Sequence, residues 1–202
     1  EKYMVSDIEN FIYIGLRSGI GSAIFYHGRL IEGRQGNAGF IGHTTVNPEG
    51  PLCTCGKCGC LDAFASEMAM NNEYKKLCLE AGKEYSKDEE HLTVQDFIEK
   101  AEKGEEISRQ VLKRSGFYIG IAIANLIKTL EITTVIIGGC TQIEDTEFVN
   151  EIKNTAKNYL TRGYENEIEI RVGSLKQEEY PLGACCHVLS HILEKPKLSL
   201  NA

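Results

Sequence analysis

Positive charge is scarce in this sequence: 22 lysines and arginines face 29 aspartates and glutamates, leaving a formal net charge of −7. Gripping a phosphate backbone takes clustered cations, so this balance argues against a nucleic-acid surface on the chain itself. Long apolar runs are missing too. No stretch approaches the roughly 20 residues that cross a bilayer, no signal peptide opens the chain, and no internal repeat or low-complexity segment interrupts it. The expectation is a soluble protein of a reducing, cytoplasmic setting without membrane contact. An initiator methionine is also lacking: the chain opens on Glu1-Lys2-Tyr3, and the expectation is a fragment of a longer protein.

What is present suffices for a core. With 202 residues and 42% hydrophobic content, the chain can bury one well-packed domain over residues 1–202, and a second domain is not expected. Cysteine is concentrated in one place. Of eight cysteines, Cys53, Cys55, Cys58 and Cys60 share the segment 37–66 with His43, among glycines and prolines that cannot bury an apolar face. Thiolates with an imidazole are the donors of a tetrahedral zinc site, and a metal supplies the cohesion that such a loop lacks. Spacing leaves two ligand sets open: the four cysteines as an all-thiolate knot, or His43 with three of them. Reduced surface thiols or disulfides are the bland alternative, disfavoured in an intracellular chain with so dense a Cys/His cluster. Cys78, Cys140, Cys185 and Cys186 lie in apolar contexts and read as small hydrophobes. His187 and His191 read as surface or satisfied core groups of the last helix.

Along the chain, Phe11 to Leu16, Ser22 to Tyr26 and Arg29 to Glu32 read as a strand meander with His27-Gly28 as a two-residue turn. The first connection, Arg17 to Gly21, carries Gly19 and Gly21 and could lie against a phosphate with its amides exposed, although two glycines in a hairpin are more often geometry than chemistry. Leu61 to Ala81 has helical spacing, with Leu61, Phe64, Ala65, Met68, Tyr74, Leu77 and Cys78 on the inner face. Lys83 to His91 is a charged connection. Thr93 caps a helix that Gly104 ends. Ile107 to Leu130 is the longest helix, apolar nearly all round from Phe117 to Ile127; it is either the central buried helix or one that meets a second subunit. Thr133 to Gly139 is a buried strand ending at Gly138-Gly139, where α/β folds place ligands. Asp145 caps a helix bearing Phe148, Ile152, Ala156, Tyr159 and Leu160. Ile168, Ile170 and Val172 form a strand, and Pro181 to Leu193 a last helix. This order gives a mixed five-stranded sheet covered by helices.

Gly33 to His43 and Cys53 to Ser66 stand as G-x-x-G-x-A-G-x-I-G-H and C-x-C-G-x-x-G-C-L-D-x-x-x-S. Together with Gly19-Ile20-Gly21, Val135 to Gly139 and Leu182-Gly183-Ala184, they resemble the ROK family of bacterial sugar-responsive repressors and sugar kinases over nearly the whole chain. The resemblance implies an α/β fold, the C-terminal lobe of the actin-like/ribonuclease H-like sugar-kinase architecture. It implies structural zinc on His43, Cys53, Cys55 and Cys60, with Cys58 as an extra; sugar contact at Gly36, His43 and Asp62; and phosphate or nucleotide contact at Ser18, Gly19, Gly21, Gly138 and Gly139. It also implies a homodimer.

Family kinases carry an Asp-x-Gly-x-Thr hairpin and a general-base aspartate upstream of the strand that is here Phe11 to Leu16, so no catalytic residue is expected in this lobe. Three positions depart from the pattern. Phe40 replaces the glutamate of Gly-Glu-x-Gly-His, and a phenyl ring cannot accept a hydroxyl's hydrogen bond. Arg17 replaces the first glycine of the phosphate loop, and Asp62 is one methylene shorter than the family's glutamate. The expectation is the effector-binding and dimerising lobe of a regulator that takes a sugar, with DNA contacted only through an absent N-terminal domain. The alternative is half of a kinase that uses ATP and Mg2+.

Overall fold

A computed structural model describes residues 8–86, 89–140, 143–164 and 167–173, together with Cys185. The sheet has five strands: β1 (Phe11–Leu16), β2 (Ile20–Tyr26), β3 (Arg29–Leu30), β4 (Thr134–Gly138) and β5 (Glu169–Val172), in the order β3-β2-β1-β4-β5. β1 runs antiparallel to β2, with Phe11 opposite Phe25, and their rings stack at 4.5 Å. His27 and Gly28 both adopt positive φ, 49° and 69°, the backbone that a two-residue hairpin needs to match strand twist. On the other side β1 is parallel to β4, Ile12 opposite Val135, and β4 is parallel to β5. Val135, Ile136 and Ile137 are all buried, as a parallel strand covered on both faces requires.

Among the described residues there are five α-helices: α1 (Asp62–Ala65), α2 (Glu67–Glu80), α3 (Val94–Glu102), α4 (Glu106–Leu130) and α5 (Glu147–Tyr159). Of the two roles its composition allowed, α4 takes the central one. Ile119, Ala122, Ile123, Ala124 and Ile127 are essentially inaccessible, each large side chain contributing about 1.5–3 kcal/mol by burial. Much of the apolar stripe is covered within the chain, while Phe117, Tyr118, Ile121 and Leu126 stay half-buried. A stripe read in one dimension cannot tell an internal neighbour from an external one. That neighbour is α5. A Cβ on Gly120 would lie 2.6 Å from Thr155 Cβ, and one on Gly116 would lie 3.2 Å from Glu151 Cβ, so the two glycines set how closely the helices approach.

The helix expected from Leu61 to Ala81 is two. Ser66 turns extended (ψ 157°) between α1 and α2; its hydroxyl donates to Asp62 O (2.7 Å) and accepts from the Ala69 amide (3.2 Å). A serine that caps so well ends the preceding turn. The break redirects the inner face, so Met68 is exposed while Met70 and the hydrogen-bonded Asn71 are buried. At α5 the cap is Thr146 rather than Asp145, with Thr146 Oγ1 accepting from the Val149 amide, and Tyr159 is exposed. β3 ends at Leu30, and β2 begins at Ile20 rather than Ser22. Thr93 forms the expected capping box with Asp96, and Gly104 follows α3 at φ 92°. Cys78 and Cys140 are buried as expected, whereas Cys185 is exposed. Leu182-Gly183-Ala184, Cys186, His187, His191 and nearly all of the segment expected as a last helix lie outside the described residues. No described helix is long and apolar enough to cross a membrane.

A polar knot fastens α2, α3 and the start of α4. Tyr74 Oη lies 3.0 Å from Glu89 Oε1 and 2.9 Å from Glu105 Oε1, and Lys100 Nζ donates to Glu89 Oε1 at 2.7 Å. The Lys100 ammonium holds the Glu89 carboxyl below its ordinary pKa against its partial burial.

Candidate metal centre and adjoining cleft

The cysteine loop has little regular structure. Its backbone is closed by two isolated bridges, Thr45 with Cys60 and Leu52 with Cys58, and by a tight turn in which the Cys53 amide donates to Lys57 O (2.8 Å) and the Gly56 amide to Cys53 O (2.9 Å). Gly59 sits at φ 77°, where a Cβ would run into the Asn47 carbonyl, so the strand of the loop that delivers Cys60 lies flush on the one that follows His43. These constraints bring four donors together. Cys53 Sγ is 3.7 Å from His43 Nδ1, Cys55 Sγ is 3.5 Å from Cys60 Sγ, and one ligand atom from each of His43, Cys53, Cys55 and Cys60 lies within 4.8 Å of the others. A tetrahedral zinc with metal–sulfur bonds of about 2.3 Å has edges of about 3.8 Å, so the spacing and the donor set are compatible with a structural zinc. Cys58 is exposed and stands outside this group.

Without a cation the thiols differ. Burial, followed by contact with Cys55 and Cys53, pushes the Cys60 thiol up to about 12, while the Lys57 backbone amide, followed by Cys60, holds Cys55 below its ordinary value. A divalent ion is what makes three adjacent thiolates compatible, and its binding releases protons.

Beside the loop opens a cleft of about 600 Å3, walled by the Ser18-Gly19 turn, His43, residues 51–54 and the outer side of α2. The Ile20 amide donates to Asp62 Oδ1 at 2.7 Å, and Asp62 Oδ2 lies 3.6 Å from His43 Nδ1. The Glu67 amide donates to Arg17 O at 3.0 Å. Both ends of the β1–β2 turn are thus tied to α1 and α2. Of the candidate sugar and phosphate positions, Ser18, Gly19, His43 and Asp62 meet in this cleft. Gly36 is exposed, with no atom packed where its side chain would be. Gly21 pairs with Gly15, Gly138 pairs with Gly15 from the other side, and Gly139 (φ 97°) abuts the Leu16 carbonyl. The glycines therefore gather at one end of β1 and β4. Arg17 is close enough to Glu67 to oppose the rise that burial causes in the Glu67 pKa. Phe40 is 60% exposed, its ring 6.2 Å from that of His43.

Sequence reasoning did not single out Glu73 and Arg114, which pair across the cleft from α2 and α4. Arg114 lies over the Phe64 ring at 5.6 Å, and Phe64 stacks on Tyr118 at 3.9 Å. Their helical positions carry no local signal beyond a charged face, and only the packing of α2 on α4 joins them.

A mixed sheet of this order, with helices over it and a thiol-rich loop between β3 and α1, is a lobe of the actin-like/ribonuclease H-like sugar-kinase fold. The model of the ROK family matches residues 1–190, and the chain belongs to that family. It is 29% identical to the xylose repressor of Caldicellulosiruptor bescii, over 94% of this chain and 48% of the repressor. It is 30% identical to the glucokinase of Halalkalibacterium halodurans, over 87% of this chain and 54% of the kinase. The crystal structure of a ROK family transcriptional regulator, a homolog of the E. coli MLC protein, superimposes with a TM-score of 0.77 at 27% identity, covering 88% of this chain and 46% of that one. The chain spans about half the length of the curated relatives it matches, and those relatives include both repressors and kinases.

Proposed function

We propose that this chain is the effector-binding and dimerising lobe of a ROK-type transcriptional regulator, without kinase activity, stabilised by a structural zinc on His43, Cys53, Cys55 and Cys60. The observation that carries this reading is Phe40. An exposed phenyl ring beside His43 stands where a sugar kinase of this family is expected to offer a carboxylate. Losing one charged hydrogen-bond partner costs about 1.5–3 kcal/mol, about one to two decades of affinity. Arg17 adds to it, since its backbone and charge are engaged with α2 at the place where a phosphate loop needs an open glycine. The likeness to xylose repressors supports a sugar as effector, DNA contact through a separate N-terminal domain, and a cytoplasmic setting.

On His43, Cys53, Cys55 and Cys60 a zinc ion would take no part in chemistry; it would hold His43 and the 51–54 wall in place, so that the cleft keeps its shape without a ligand. A kinase reading, with ATP and Mg2+, draws support from Ser18 and Gly19 in the cleft and from the glucokinase likeness. A coupled ATP-consumption assay with hexoses and N-acetylhexosamines separates the two. Background rates are expected, and turnover that follows the chain through purification would overturn the proposal. Light scattering should give a dimer. Calorimetry should find no monosaccharide bound more tightly than about millimolar, roughly −4 kcal/mol.

A further inference from the structure

The family pattern places sugar recognition at positions 40 and 62, and position 40 cannot supply it here. Phe40 has no acceptor. Asp62 accepts from the Ile20 amide at 2.7 Å and has its other oxygen 3.6 Å from His43, with 16% of its side chain exposed, so it offers one small acceptor at that end. The same cleft nevertheless continues along α2 away from His43, to a second polar cluster formed by Asn72, Glu73, Lys76 and Arg114. Glu73 and Arg114 form an ion pair that is partly accessible, 21% and 36%.

A carboxylate beside a guanidinium presents an acceptor and a fork of donors side by side, which neighbouring hydroxyls can bridge, each hydroxyl donating to the one and accepting from the other. The guanidinium carbon lies 5.6 Å from the centre of the Phe64 ring, a cation–π contact that restrains the fork. Two carboxylates, Asp62 and Glu73, oppose two cations, Lys76 and Arg114, on the cleft wall, and this balance favours a neutral ligand over a phosphorylated one. Leu52 and Met68 also line the cleft, 72% and 48% exposed. They offer an apolar wall of the kind that packs against the C–H face of a sugar ring.

We propose that Glu73 and Arg114 form a second saccharide subsite, so that the ligand of this cleft is a neutral disaccharide or similar glycoside rather than a monosaccharide. One ring occupies the His43 end and the other bridges Glu73 and Arg114. This deepens the effector-binding role proposed above and rests on it.

The test is calorimetry and saturation-transfer NMR on the chain, with glucose, xylose and N-acetylglucosamine against maltose, cellobiose and xylobiose. At least one disaccharide should bind five-fold or more tightly than any of the monosaccharides. Glu73→Gln and Arg114→Lys should weaken that disaccharide about ten-fold and change monosaccharide binding less than two-fold. Lys76→Gln, at the exposed rim, guards against misfolding at the ion pair and should weaken the disaccharide about two-fold. Disaccharides that bind no better than monosaccharides, variants that weaken both classes equally, or no saccharide binding at all would each overturn the subsite. Failure of the regulator reading looks different: ATP turnover, or micromolar binding of a monosaccharide.

Discussion

The metal loop and the α4–α5 crossing lie in one domain and are held together by opposite means. In the crossing, Ile119, Ile123 and Ile152 are fully buried and Gly116 and Gly120 let the helices meet, so cohesion comes from apolar area and close packing. The loop between His43 and Cys60 has two isolated bridges, tight turns at 47–50 and 53–57, and a knot of donors. On the proposed zinc reading its cohesion is conditional: an ion on three thiolates and an imidazole would clamp the loop, and without one the same groups repel or take up protons. Stability in the first region then belongs to the sequence, and in the second to the sequence together with its solution.

That contrast can be broken most sharply at Cys60. Structural zinc sites carry binding free energies on the order of 10 kcal/mol, so Cys60→Ser should lower zinc content from about one per chain to none. Amide exchange over residues 40–66 should then rise while α4 and α5 stay protected. Metal analysis and hydrogen-exchange mass spectrometry read both halves, and loss of protection in α4 as well would merge the two regions into one. Ile123→Ala does the reverse. Removing a fully buried isoleucine side chain should cost about 2–5 kcal/mol in denaturant unfolding and leave zinc content unchanged.

The polar knot under α2 is intermediate, since it depends on pH rather than on metal. Glu89 has a folded pKa below its unfolded value because Lys100 donates to it. Its contribution is therefore fully present above the unfolded pKa and lost as pH falls through the folded one. Glu89→Gln should cost about 1.5–3 kcal/mol at neutral pH and flatten the acid side of the stability profile; an unchanged acid limb would remove Glu89 from the account. The smallest effect is expected at Cys58. Exposed and outside the donor group, it should go to serine with no loss of zinc. Metal loss from Cys58→Ser with retention in His43→Ala would restore the all-thiolate knot.

Much of the fold was legible because its signals are local. β1 spans the apolar run that the sequence outlines, His27-Gly28 makes its hairpin turn, and Thr93 caps where a capping box reads. What was not legible depends on partners distant in sequence. Ser66 interrupts a helical pattern because its cap bonds outcompete one turn of continuity, and the periodicity of apolar residues does not register that. The stripe of α4 fitted either a central helix or a subunit contact because its cover, α5, follows only after β4. For the site, a dense run of donors advertised His43 and the cysteines, whereas Glu73 and Arg114 are two ordinary charges until α2 and α4 pack.

The sheet also dictates an order of assembly. Ile12 pairs with Val135, so the strand that opens the meander must wait for one made long after it. Every residue of the cysteine loop, and α1 to α4, lies inside the span that this pairing closes. Closing so long a span loses entropy before any contact repays it, while the meander and the loop need only near neighbours. On a ribosome, then, the cysteines emerge and can take their ion before β4 exists. Metal capture would act as an early checkpoint on the chain, and zinc-starved synthesis should show its cost in yield of folded protein rather than in the properties of the molecules that succeed.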